Sequence, residues 1–304
     1  MVGARCHRQR RGAKRNVSRP SRILDSHVHF WDPERLHYPW LSGAQGLQRA
    51  FLPTDLPALA DGALDGVIFV EANCRAMENI EECDFINALA TNGAPILGVI
   101  AYVDMCDTAR RRTSLQHLEG QSRVVGVRHN LQHQPTGFAV QDEFVRGVQD
   151  AGARGLTFDL CITADQLSEA TELVERCPGT SFVLDHCGKP GIACGAYEPW
   201  AGDLGRLAAH RNVACKLSGL LSEARPDQRT ATGLGTFARR AMDCFGADRL
   251  LYGSDWPVVT TAGGEPLWRT LALDLTSEWS LAEREAFFFD NAVRIYGTGQ
   301  NARS

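Results

Sequence analysis

Residues 23–33 read ILDSHVHFWDP. A short, β-rich apolar run over Arg22–His27 stops at two histidines, His27 and His29, and gives way to an aromatic loop with prolines. The same arrangement recurs along the chain. FVLDHCGKP at 182–190 and RLLYGSDWP at 249–257 are again apolar runs that end in titratable residues. With these two runs included, the strand candidates after the first are Gly66–Glu71, Ile96–Val103, Val124–Arg128, Leu156–Asp159, Ser181–Asp185, Val213–Leu217 and Arg249–Gly253. Segments with helical spacing fall between them, at Met77–Ala90, Gln141–Ala151, Ala164–Arg176, Thr230–Phe245 and Leu281–Asn291. Strands alternating with helices predict a parallel sheet, and eight such units predict closure into a single-domain (β/α)8 TIM barrel. An open doubly wound sheet would carry a glycine-rich phosphate turn after its first strand, and none is present.

Polar and titratable groups stand where these runs stop: His27 and His29, Glu71, Asp104, Arg128 with His129 and Asn130, Asp159, His186 with Lys189, Lys216 with Ser218, and Asp255. In a barrel these strand ends converge on one face, which is where active sites are built. Residues two apart on an extended strand share a side, so His27 and His29 can aim at one point. Two imidazoles so aimed suit a divalent metal or a substrate oxygen. Asp255 can ligate, act as a general base or cap the next segment, and Pro257 makes an immediate helix start less natural. The loop HFWDPERLHYPWL gathers Phe30, Trp31, His37, Tyr38 and Trp40 into a candidate lid or packed rim.

Composition narrows the class. The 304 residues are 44% hydrophobic and 22% charged, and no apolar run approaches the roughly 20 residues that span a bilayer. Net charge is −4, yet no acidic residue precedes Asp25, while that stretch holds eight Lys and Arg; the remainder is therefore at −12. Residues 1–22 read as a basic, disordered extension, with a transit peptide or a nucleic-acid arm as the alternatives. An acidic body has no general attraction to phosphate backbones, so neither nucleic acid nor membrane is an expected partner. The ten cysteines have no CxxC pair and several lie in strand-like runs, which suits free thiols in a reducing, cytoplasmic compartment.

The motifs HVHFWDP…YPW, GVRHN, LDHCGKP, KLSG, YGSDWP and the closing NAVRIYG resemble the amidohydrolase-related (amidohydrolase 2) family of the amidohydrolase superfamily. The resemblance runs from about Ile23 to Tyr296. Within the family it is similar to the sugar-lactonase branch, with its L-fuconolactone hydrolases and 2-pyrone-4,6-dicarboxylate lactonases. The expected domains are accordingly a barrel over 23–297 and a tail over 298–304. The resemblance implies a hydrolase that opens a lactone, with Asp255 as base and His27, His29 and His186 as metal ligands or carbonyl polarisers. It implies substrate contacts from Arg128 and Lys216, and pocket walls from Glu71, Asp159, His129 and Trp31. The fourth strand ends in Arg128, so a carboxylated lysine bridging two metals is not expected. Either no metal or one divalent ion, zinc or manganese, on His27, His29, His186 and Asp255 fits this pattern. A metal-dependent decarboxylase of the same superfamily is the alternative. The expected partner is a small lactone, and homo-oligomerisation is left open.

Overall fold

The computed structural model describes residues 19–298. Strands β1 (Leu24–Val28), β2 (Gly66–Val70), β3 (Ile96–Tyr102), β4 (Val124–Arg128), β5 (Thr157–Leu160), β6 (Phe182–Leu184), β7 (Val213–Leu217) and β8 (Leu250–Tyr252) pair in parallel in sequence order. Each of the eight expected strands is found within one or two residues of its sequence bounds. The ring closes at the C-terminal end of the strands. Val28 bridges Trp256, His29 N donates to Trp256 O at 2.7 Å, and Asp255 N donates to His27 O at 2.9 Å. Deeper in the seam, side chains replace the ladder. Asp25 Oδ1 accepts from Ser254 N at 2.8 Å, and Ser26 Oγ donates to Tyr252 O at 2.6 Å.

The helices are α1 (Pro57–Ala60), α2 (Asn79–Thr91), α3 (Thr108–Leu118), α4 (Asp142–Gly152), α5 (Leu167–Arg176), α6 (Trp200–Ala208), α7 (Ala231–Phe245), α8 (Glu265–Leu275), α9 (Leu281–Glu285) and α10 (Asn291–Tyr296). Local chemistry fixes their ends. Asp107 caps α3 by accepting from Ala109 N and Arg110 N, both at 3.0 Å, and Thr230 caps α7 through Gly233 N at 3.0 Å. Leu281–Asn291, which reads as one helix, is interrupted by a π-helical turn over Ala286–Asp290 that carries three buried phenylalanines. NAVRIYG is the expected closing helix, with Gly297 in the left-handed region at φ +67°.

Strand alternation divides the core in two. Val67, Phe69, Val127, Phe182 and Leu184 face the helices, whereas Ile68, Val70, Val125, Val183, Ala214 and Leu251 point inward. The inner cluster is completed by Phe289, Ala292 and Tyr296, so the last helix plugs the barrel floor. Burying side chains of this size contributes about 1.5–3 kcal/mol each. Asn291 ties the plug to β8 by donating to Leu250 O at 2.8 Å. Ser21 N donates to Glu285 Oε1 at 2.7 Å, and the Arg22 guanidinium lies 3.8 Å above the Phe289 ring. The end of the basic stretch is thus held on the floor, while its residues 1–18, and tail residues 299–304, lie outside the described residues. Among the described residues no helix is long and apolar enough to cross a membrane, and no cysteine is paired.

Candidate active site

A cleft of about 130 Å³ opens at the C-terminal ends of the strands, walled by His29, Trp40, Ala72, Asn73, Arg128, Asn130, Gln132, Cys161, His186, Lys189, Asp255 and Val258. Four of these residues, Asn73 (φ +53°), His186 (φ +53°), Lys189 (φ +48°) and Asp255 (φ +63°), are non-glycine residues in the left-handed region. Such backbone costs on the order of 1–3 kcal/mol per residue, and here it turns each of them toward one space.

His27, His29, His186 and Asp255 come together as expected. The Nε2 atoms of His27 and His29 lie 3.2 Å apart. Asp255 Oδ1 lies 3.4 Å from His29 Nε2, 3.9 Å from His27 Nε2 and 4.0 Å from His186 Nε2. His186 is oriented from behind by Ser218 Oγ, 2.8 Å from its Nδ1. Burial lowers His27 well below the usual histidine range and brings His186 down to about 4. Burial works against ionised Asp255, but His186, His29 and His27 outweigh it and hold the carboxyl below its ordinary range. Neutral imidazoles beside a carboxylate are the protonation states that a metal requires of its ligands.

Arg128 reaches the cleft wall while held from below. It donates from Nε to Glu71 Oε1 at 2.6 Å, from Nη2 to Glu71 O at 2.7 Å and from Nη1 to Asp185 Oδ2 at 3.2 Å. Two of its five N–H groups remain for the cleft. Lys216, Glu71, Asp159 and Trp31 are placed differently from the sequence expectation: each is fully buried and none lines the cleft. Lys216 Nζ sits beneath His27, 2.5 Å from Asp159 Oδ2 and 3.1 Å from Asp185 Oδ1. Trp31 turns inward and donates to Arg49 O at 2.8 Å, and the aromatic face on the cleft belongs to Trp40. His129 accepts from Met105 N at 3.1 Å behind the wall. Asn73 and Gln132 are the polar wall residues that the strand-end pattern did not single out; Asn130 and Lys189, which it did, stand beside them. They are joined by side-chain bonds, Lys189 Nζ donating to Gln132 Oε1 at 3.0 Å and Asn130 Nδ2 to Asn73 Oδ1 at 3.2 Å.

The residues fit a divalent cation. One ligand atom each from His27, His186 and Asp255 lies within 4.8 Å of the other two, and His29 adjoins two of the three. The buried cluster holds four carboxylates, Glu71, Asp159, Asp185 and Asp255, against two cations, Arg128 and Lys216. A divalent ion would supply the two missing positive charges.

The comparisons agree with this geometry. The amidohydrolase family model matches residues 24–298. The chain belongs to the amidohydrolase family. Curated relatives include an L-fucono-1,5-lactonase of Burkholderia multivorans, 32% identical, with 92% of this chain and 97% of the relative covered. Another is a 2-pyrone-4,6-dicarboxylate hydrolase of Comamonas testosteroni, 28% identical over 78% of this chain and 77% of the relative. A crystal structure of a Burkholderia multivorans amidohydrolase with bound zinc superposes with a TM-score of 0.80 at 31% identity, covering 91% of this chain and 99% of that one. The chain is thus an amidohydrolase-family enzyme with a His-His-Asp constellation able to hold a metal.

Two supports of the amidohydrolase site can be tested directly. Gly219, at φ +70°, passes so close to His186 that a Cβ there would lie 2.8 Å from its ring. Gly219→Ala should push His186 out of place and cut turnover at least tenfold while the fold survives; turnover within twofold of wild type would refute this. Behind the wall, Glu82 Oε1 accepts from Ala72 N at 3.2 Å, and burial, then Glu71, push its carboxyl up to about 8. The fold keeps a proton that the unfolded chain releases near 4.5. The contribution of Glu82 is therefore intact below that pH and is lost as pH rises toward about 8. In denaturant titrations Glu82→Gln should gain on wild type steadily across that window, and a pH-independent difference would contradict the assignment.

Proposed function

We propose that the protein hydrolyses the lactone of a sugar acid, with L-fuconolactone as the first candidate. The observation that carries this reading is the pairing of Asp255 and three histidines with a wall that includes three amides and an amine. Asn73, Asn130, Gln132 and Lys189 offer donors and acceptors to ring hydroxyls, and Trp40 offers a face to the ring. The space of about 130 Å³ is close to the roughly 150 Å³ of a cavity that holds benzene, which suits one small ring. A dicarboxylate calls for two uncommitted cations, whereas Arg128 is already neutralised by Glu71 and Asp185.

In this mechanism Asp255 takes a proton from water as its oxygen bonds to the lactone carbon. The ring C–O bond then breaks, and Asp255 returns the proton to the leaving ring oxygen. The free N–H groups of Arg128 face the developing oxyanion, where one well-placed donor is worth about 3 kcal/mol. Asp255 is a weak base because its neighbours stabilise the carboxylate. One zinc or manganese ion, held by His27, His186 and Asp255, would polarise the carbonyl and acidify the water.

The test is an indicator-dye screen of sugar-acid and dicarboxylate lactones, before and after chelator dialysis. Turnover of a sugar lactone, lost with chelator and restored by zinc or manganese, is expected. Inactivity on every lactone together with decarboxylation of an aromatic acid would replace this reading.

A further inference from the structure

Opposite the cleft, at the N-terminal ends of β6, β7 and β8, lies a second recess of about 260 Å³. Its polar wall is Ser181, Arg211, Asn212, Arg249 and Arg294, and Ile295 forms an apolar side. The three arginines come from three places. Arg211 stands in the turn that leads into β7, Arg249 directly precedes β8, and Arg294 belongs to the closing helix α10. The chemistry at the other end of the barrel uses none of them.

Their guanidinium groups differ in what they already hold. Arg249 is anchored: Nη1 donates to Ala208 O at 3.0 Å, His210 O at 3.2 Å and Val213 O at 2.9 Å, and Nη2 to Cys244 O at 3.3 Å. Its Nε–H and one Nη2–H remain. Arg294 donates from Nη2 to Asp248 O and, at 3.0 Å, to Asn291 Oδ1, which leaves Nε–H and both Nη1–H. Arg211 is exposed, and its guanidinium has no hydrogen bond among the described residues, so all five N–H groups remain. Among those residues none of the three is paired with a carboxylate. Arg249 is accordingly held below the ordinary arginine range, by burial first and by Arg211 second, and Asp248 offsets only part of this. From Ile23 onward the chain nets −12, so three unneutralised cations around one recess are an exception to its charge.

One guanidinium fork satisfies a carboxylate, whereas three forks from three elements suit the several oxygens and the nearly double charge of a phosphate. Asn212 adds a different demand. Its Nδ2 donates to Thr180 O at 2.8 Å, so Oδ1 is left to accept, and an acceptor suits a hydroxyl, not a phosphate oxygen. The recess also has twice the volume of the cleft, which is room for more than a bare ion. We propose that it binds a small hydroxylated phosphomonoester, of the sugar-phosphate class, with the phosphate on Arg211, Arg249 and Arg294 and a hydroxyl on Asn212. The phosphate joins α10 to the starts of β7 and β8, so binding ties the plug of the floor to the barrel wall. The inference stands apart from the lactone reading of the cleft.

The test is calorimetric titration of the full-length protein with glucose 6-phosphate, inorganic phosphate and a DNA duplex at constant ionic strength. A single site for glucose 6-phosphate, with Kd below about 1 mM, is expected, and the ligand should raise the melting temperature. Arg211→Met breaks no bond of the fold and should weaken that affinity about tenfold or more, as should Arg294→Met. No saturable binding, or binding that Arg211→Met leaves within twofold of wild type, would overturn the proposal. Inorganic phosphate binding as tightly as the ester would overturn its organic half. A duplex that displaces glucose 6-phosphate would overturn it in favour of nucleic acid. Should Arg294→Met fail to fold, Arg211→Met decides alone, because Arg211 holds nothing in place.

Discussion

Asp255→Asn should lower lactone turnover by about 10²- to 10⁴-fold, the usual contribution of a positioned general base, and leave the fold intact. Asparagine has the same size and tolerates the left-handed backbone of this position, at φ +63°. The backbone bond from residue 255 N to His27 O, which helps close the barrel, does not involve the side chain. What disappears is the negative charge facing His29, His27 and His186, and with it both the proton acceptor and one cation ligand. Zinc affinity should fall in the same variant. Initial rates and thermal melting measured together decide the matter: normal melting with turnover within tenfold of wild type would remove Asp255 from the chemistry.

Arg128→Met should cost about 3–5 kcal/mol of stability, the typical effect of removing one partner from a buried charge pair. Methionine fills most of the volume, but Glu71 and Asp185 lose their guanidinium partner in a site where both are fully buried. Denaturant titration reads this directly. Lys189→Met is the comparison, because Lys189 lies at the half-buried rim and bonds only Gln132 among side chains. It should shift stability by no more than about 0.5 kcal/mol, as surface changes do. A loss below about 1 kcal/mol in Arg128→Met would mean that the buried carboxylates are held by other groups.

The contrast between these two cations marks how far the sequence could be read. Apolar runs of fixed period reveal strands, so all eight strands were legible, and so were the titratable residues that end them. Convergence of His27, His29, His186 and Asp255 followed from strand parity and barrel geometry. Depth did not follow. Lys216 and Asp159 point into the barrel, but whether an inward side chain meets substrate or lies a layer below depends on the tilt of neighbouring strands. Trp31 and Trp40 share one irregular loop, where no period tells which ring turns inward. Asn73 and Lys189 owe their place to left-handed backbone at non-glycine residues, and the sequence carries no signal for that. The π turn at Ala286–Asp290 was equally silent, since its residues keep a helical pattern.

The plugged floor bears on the order in which the molecule can be made. The strand that carries His27 leaves the ribosome some 260 residues before Phe289, Ala292 and Tyr296 do. Until they do, the inner cluster is an open tube and Asp159 has no hydroxyl donor from below. No shorter nascent chain can therefore possess a sealed barrel. Synthesis must run through this closing helix before a competent enzyme exists, and the barrel's first strand and its closing helix meet inside one core.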